Sequence, residues 1–84
     1  MLKEEVREYI LGLLQGKLTI FDISESELKD GFDLVKSGLL DSMAFVDLVA
    51  EIEEKYDIEI DFEKVADNPD FTSMGSLIDI ITNA

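Results

Sequence analysis

Three segments of the chain carry apolar residues at helical spacing, each on one face only. In residues 2–15 these are Leu2, Val6, Tyr9, Ile10, Leu13 and Leu14, with Lys3, Glu4, Glu5, Arg7 and Glu8 opposite. In residues 42–56 they are Met43, Val46, Val49, Ala50, Ile52 and Tyr56, with Asp47, Glu51 and Glu54 outside the stripe. Near the end, Met74, Leu77, Ile78 and Ile81 repeat at i, i+3, i+4 and i+7. A helix with one apolar face must bury it against another element, so the three faces have to meet in one core. The pattern predicts an all-α fold. It is a small antiparallel bundle of three main helices plus one short helix, with a long loop between helices one and two.

Punctuation residues refine the boundaries. Gly16 suits a C-terminal stop for the first helix. Residues 16–40 then form a connection with Leu18, Ile20, Phe21, Ile23, Leu28, Phe32, Leu34 and Leu39 spread through it. A connection this long is normally packed by its own side chains or functional. Ser24-Glu25-Ser26-Glu27-Leu28 suits a short helical turn, while a strand over 18–23 would have no obvious pairing partner. Asp41 suits the N-cap of the second helix, without a full capping box because the third helical position is Ala44. Asp61 caps a short helix from Phe62 to about Ala66, which Asn68-Pro69-Asp70 ends. Thr72 or Ser73 caps the last helix. The sequence leaves two points open. Phe45 falls off the apolar stripe and either faces a partner or packs on the preceding loop. Gly75 either permits a close approach or is incidental.

Composition excludes several function classes. Eighty-four residues make one small domain, expected to span 1–84 and to act as a monomer. A chain this short buries roughly 60–65% of its unfolded surface, which leaves little room for a deep substrate pocket. The hydrophobic content of 46% is too high for a disordered chain. There is no Cys for a disulfide or thiolate metal site, and no His for a general base. The N-terminus is charged at once and lacks an apolar run, so the expectation is a soluble cytoplasmic protein with no membrane span. The net charge of −13 repels nucleic acid and anionic membranes and favours basic protein surfaces. Residues 41–63 hold nine acids (Asp41, Asp47, Glu51, Glu53, Glu54, Asp57, Glu59, Asp61 and Glu63) against Lys55, a net of −8.

Tests for chemistry leave one group standing. Serine catalysis needs a base within reach, and the nucleophile elbow needs Gly-x-Ser-x-Gly; Ser42 lies between Asp41 and Met43 and has neither. The acidic run from Asp57 fails the calcium-loop pattern, because its sixth position is Phe62 and its twelfth is Asn68. Gly31 and Gly38 lack the spacing and lysine of a phosphate-binding loop. What survives is a hydroxyl, Ser42, at a helix N-terminus, where free N–H groups and the dipole suit a phosphate.

Gly38-Leu39-Leu40-Asp41-Ser42-Met43 resembles the attachment motif of acyl carrier proteins. The likeness continues through Val46 to Val49, Ile52 to Glu54 and Tyr56 to Ile60, and in helix order and acidity it covers the whole chain. The resemblance implies a carrier and not an enzyme. A phosphopantetheinyl transferase, using coenzyme A and Mg²⁺, would join 4′-phosphopantetheine to the Ser42 hydroxyl. The arm's thiol would hold acyl intermediates as thioesters, filled by an acyl- or aminoacyl-loading ligase and delivered to acyl-processing enzymes with basic patches. Asp41 matches the family's motif aspartate, and Asp47, Glu53 and Glu54 match its partner-recognition acids, with Met43 beside them. Met43, Val46, Met74 and Leu77 either line the arm or belong to the core. Met43 replaces the commoner Leu, Phe45 replaces a small polar residue, and 66–72 is longer than in fatty-acid carriers. The Gly-Leu-Leu-Asp-Ser-Met form is similar to D-alanyl and other stand-alone aminoacyl carriers, and the departures together imply a specialised pathway. A reading of a different class is an acidic helical adaptor without a cofactor.

Overall fold

Val6, Ile10, Leu14 and Leu18 follow one another in steps of four, and all are buried. That stripe runs past Gly16, and so does the helix. In the computed structural model, which describes residues 2–84, α1 spans Lys3–Ile20. The expected stop at Gly16 is therefore wrong, and residues 16–20, read as the start of the connection, are helical. A glycine inside a helix costs about 1 kcal/mol, and burying Leu18 returns about 1.5–3 kcal/mol, so continuing wins. Leu2, expected on the buried face, is instead exposed at the N-cap. α1 ends where Asp22 takes a left-handed φ of 55° and the Ile23 N–H reaches back to the Leu18 carbonyl at 2.9 Å.

α2 spans Ser42–Tyr56, α3 is the single turn Phe62–Val65, and α4 spans Met74–Thr82. A 3₁₀ turn at Glu25–Glu27, capped reciprocally by Ser24 and Glu27, accounts for the helical turn expected there. The fold is all-α, as the periodicity predicts. α1 packs on α4. α1 and α2 run antiparallel. Tyr9 meets Tyr56 edge-on at 5.7 Å, and further along Leu13, Leu14 and Lys17 border the same groove as Leu40, Ala44, Asp47 and Leu48.

α2 is rotated from its expected phase. Phe45, Leu48, Val49 and Ile52 face the core, whereas Met43, Val46 and Ala50 lie outside it. Both sets fit a helical period. The buried set is bulkier and acid-free, so turning it inward removes more apolar area from water. Phe45 is 4% exposed and lies 6.1 Å from the Phe71 ring. It packs inside and is not a partner contact.

The long connection is held by Leu28, Leu34, Leu39 and Leu40, all buried, and by backbone bonds to the start of α4. Leu34 N–H donates to the Thr72 carbonyl (2.9 Å), Met74 N–H to that of Phe32 (2.8 Å) and Gly75 N–H to that of Asp30 (2.9 Å). Arg7 joins α1 to the same loop, donating to the Leu28 carbonyl at 2.9 Å and pairing with Asp30. The first N–H groups of a helix have no intrahelical acceptor, and here loop carbonyls supply it.

Asp33 completes the seam. Partial burial opposes its charged form, but Lys36 N–H (2.7 Å), the Thr72 hydroxyl (2.7 Å) and Val35 N–H (3.0 Å) all donate to its Oδ1. Those bonds prevail and hold its carboxyl below the ordinary 3.8. Gly75 has a packing reason as well: a Cβ there would lie 2.8 Å from Asp30 Cβ and 3.0 Å from its carbonyl oxygen.

Gly75→Ala is expected to destabilise the fold by about 1–2 kcal/mol, because overpacking against backbone outweighs the gain in helix propensity. Denaturant midpoints check this. Asp33→Ala is expected to cost about 1–2 kcal/mol near neutral pH through lost hydrogen bonds. A depressed folded-state pKa stabilises above the unfolded value and ceases to as pH falls through the folded one. The gap between wild type and Asp33→Ala should therefore hold down to about pH 4 and close below it. Unfolding curves across that range decide.

Candidate functional site

The approach to α2 is fixed before the helix begins. Gly38 takes a φ of +88°, which an L side chain resists, and reverses the chain. Leu39 and Leu40 then insert into the core, and the Leu40 N–H closes on the Leu34 carbonyl at 2.9 Å. The next two residues emerge at the surface as Asp41 and Ser42. Asp41 is the N-cap, its Oδ1 accepting from the Ala44 N–H at 2.7 Å. Ser42 is the first helical residue. The N–H groups of Ser42 and Met43 therefore lie in the turn that lacks intrahelical acceptors, at the positive end of the helix dipole.

The hydroxyls of the six serines differ in what they do. Ser73 is buried and caps α4. Ser24 and Ser26 bond each other at 2.7 Å. Ser37 Oγ accepts from the Leu39 N–H at 3.3 Å, and Ser76 is half-buried. Ser42 alone among them is both exposed and free of any side-chain hydrogen bond to the described residues.

The remaining sequence candidates separate into two groups. Met43, Val46, Asp47, Ala50, Glu51 and Glu54 are exposed along α2, apolar positions interleaved with acids. Met43 is 70% and Val46 48% exposed. Glu53 is tied to its own chain: half-buried, it accepts from the Ile60 N–H at 2.8 Å and braces the turn after α2. Asp57, left-handed at φ 53°, closes α2, and Asp61 caps α3 through the Glu63 N–H at 3.0 Å. Met74 and Leu77 are core residues, at 0% and 2% exposure. Glu51, read in the sequence as outside the apolar stripe but not among the partner-recognition acids, lies on the same exposed face four residues from Asp47.

A cleft of about 790 Å³ is bordered by Lys3, Arg7, Asp30, Asp33, Lys36 and Asp79 and does not include Ser42. Its cations are engaged within the fold, Lys3 with Asp79 at 2.7 Å, Arg7 with Asp30, and Lys36 with the Pro69 carbonyl at 3.2 Å. It is a seam between elements.

No helix among the described residues is long and apolar enough to cross a membrane, and no cluster of acids among them could hold a metal ion. A family model described as "Phosphopantetheine attachment site" matches residues 8–78, which is most of the chain and includes the whole of α2. No curated protein and no solved structure matches.

Asp41→Ala is expected to lose about 1 kcal/mol with the cap, read as a lower melting temperature. Glu53→Ala is expected to leave the Ile60 amide without its acceptor, so hydrogen exchange there should accelerate while α1 amides stay protected.

Proposed function

The chain belongs to the phosphopantetheine attachment site family, and from that premise we propose that Ser42 is its attachment residue and that residues 1–84 act as one carrier domain rather than as a catalyst. The supporting observation is the elimination among serines: Ser42 offers an exposed hydroxyl that no other group among the described residues uses. The residues around it fit a phosphodiester. Ser42 and Met43 present N–H groups at the positive end of α2, which favours an anion there. Asp41 adds a negative charge nearby, but its Oδ1 is occupied by the Ala44 N–H.

Once attached, the arm supplies a terminal thiol that carries acyl groups as thioesters. The protein's own part is to display that position and to be recognised. Met43, Val46 and Ala50 give a partner an apolar strip beside Ser42, and Asp47, Glu51 and Glu54 set acids alongside it. Partners with Lys/Arg patches are drawn to such a surface, and exposed ion pairs are individually weak, so exchange between them stays fast. Those partners are a phosphopantetheinyl transferase, a loading ligase and acyl-processing enzymes. Met43 and Phe45 set the motif apart from fatty-acid carriers and support a specialised biosynthetic pathway.

Incubation with coenzyme A, Mg²⁺ and a permissive transferase should add one phosphopantetheine to the wild type and none to Ser42→Ala, by intact mass. Modification at another serine, or none with several transferases, would overturn the assignment. In the same assay Asp47→Lys/Glu54→Lys should raise KM several-fold at low salt, with the difference shrinking as salt screens the acids.

A further inference from the structure

The rotation of α2 turns a thioether, Met43, to the surface. Met43 is adjacent to Ser42 and 70% exposed, while Met74 is fully buried at the start of α4. The chain has no Cys, so no thiol of its own competes for an oxidant. We propose that Met43 is an oxidation site whose sulfoxide form impairs recognition of Ser42, making loading of the carrier sensitive to peroxide. The inference rests on the assignment of Ser42 as the attachment residue.

The chemistry is a two-electron oxygen transfer. The Met43 sulfur attacks one oxygen of hydrogen peroxide, the O–O bond breaks, an S–O bond forms, and the second oxygen takes the proton of the first and leaves as water. Access decides which methionine reacts, because the oxidant must reach the sulfur. Met74 has no exposed surface and is protected by the fold. Met43 has no such shield, and the reaction disturbs no packing beneath it, since the buried face of α2 is Phe45, Leu48, Val49 and Ile52.

The functional consequence follows from position. An enzyme that reaches the Ser42 hydroxyl covers the next side chain as well. A thioether gains from that burial, whereas a sulfoxide is polar and needs a hydrogen-bond donor that an apolar contact does not provide. Reductases specific for the two sulfoxide epimers would reverse the change.

The test uses the chain without its arm, so that no pantetheine thiol competes. The protein is treated with hydrogen peroxide, desalted, and loaded with coenzyme A and a phosphopantetheinyl transferase. Peptide mapping should place one oxygen on Met43 and leave Met74 unmodified. KM for the oxidised protein should rise about tenfold, the scale of losing one apolar contact, with its thermal unfolding unmoved. Sulfoxide reductases should restore it. Met43→Leu, compared with its own untreated form, should change less than about twofold under the same treatment, and since it retains Met1 it also measures any contribution from that residue. Equal oxidation of Met74 and Met43, an unaltered KM after oxidation, or equal sensitivity of Met43→Leu would each overturn the inference. Failure of the untreated wild type to load at Ser42 would instead overturn the attachment assignment, and with it the consequence for loading.

Discussion

The seam between the long connection and the first turn of α4 is the contact on which the rest of the molecule depends. Three N–H groups cross it, from Leu34, Met74 and Gly75, and the Asp33 carboxylate ties it at its centre. Without it α4 would begin with orphan donors facing a desolvated interior, and the loop would expose carbonyls with no partner. Each segment supplies what the other lacks. The loop has few regular bonds of its own, and a nine-residue helix is too short to persist in isolation. The seam also reaches the approach to α2. Leu34 takes part in it through its N–H and accepts from Leu40 through its carbonyl, and Leu40 is two residues before Ser42.

How much of this is legible in the sequence depends on the range of each interaction. The N-caps of α2, α3 and α4 were readable, because a cap joins an acid or hydroxyl to an N–H two or three residues away. The end of α1 was not, whereas α2 ends at Tyr56, where the apolar spacing put it; what the sequence hid is how the two helices close. Both close on an aspartate, Asp22 and Asp57, in the left-handed region, and aspartate is a far weaker stop signal than glycine. Gly16 carried the stronger signal and was overridden by Leu18, whose burial requires α1 to continue. The role of Glu53 toward Ile60 was hidden for a similar reason, since it spans seven residues and exists only once the turn after α2 is built.

The phase of α2 shows a subtler limit. Two apolar sets satisfy the same period, and periodicity alone does not say which faces inward. Volume settles it: Phe45 and Leu48 fill the core more completely than Met43 and Ala50, and Phe71 waits opposite Phe45. Ser42 and Asp41 were unaffected, because both are exposed and neither belongs to either apolar set. The choice did decide the surroundings of Ser42. The inward set takes the bulk, and the outward set is left as an apolar strip beside the hydroxyl.

The acids divide along the same line. Asp33, Asp41, Glu53 and Asp61 accept hydrogen bonds from their own backbone, and Asp57 closes a helix. Their charge is partly spent on local N–H dipoles. Asp47, Glu51 and Glu54 are exposed, with no side-chain bond to the described residues. A net of −8 over residues 41–63 therefore overstates the field a partner would meet at short range and understates its organisation. At more than about 8–10 Å all the acids act together and are screened together. At contact distance the unbonded acids of α2 remain available, and they lie on the strip that Met43 and Val46 extend toward Ser42. Under the proposed carrier function, a surface built this way would attract basic partners broadly through its charge and discriminate among them through a few apolar atoms next to Ser42.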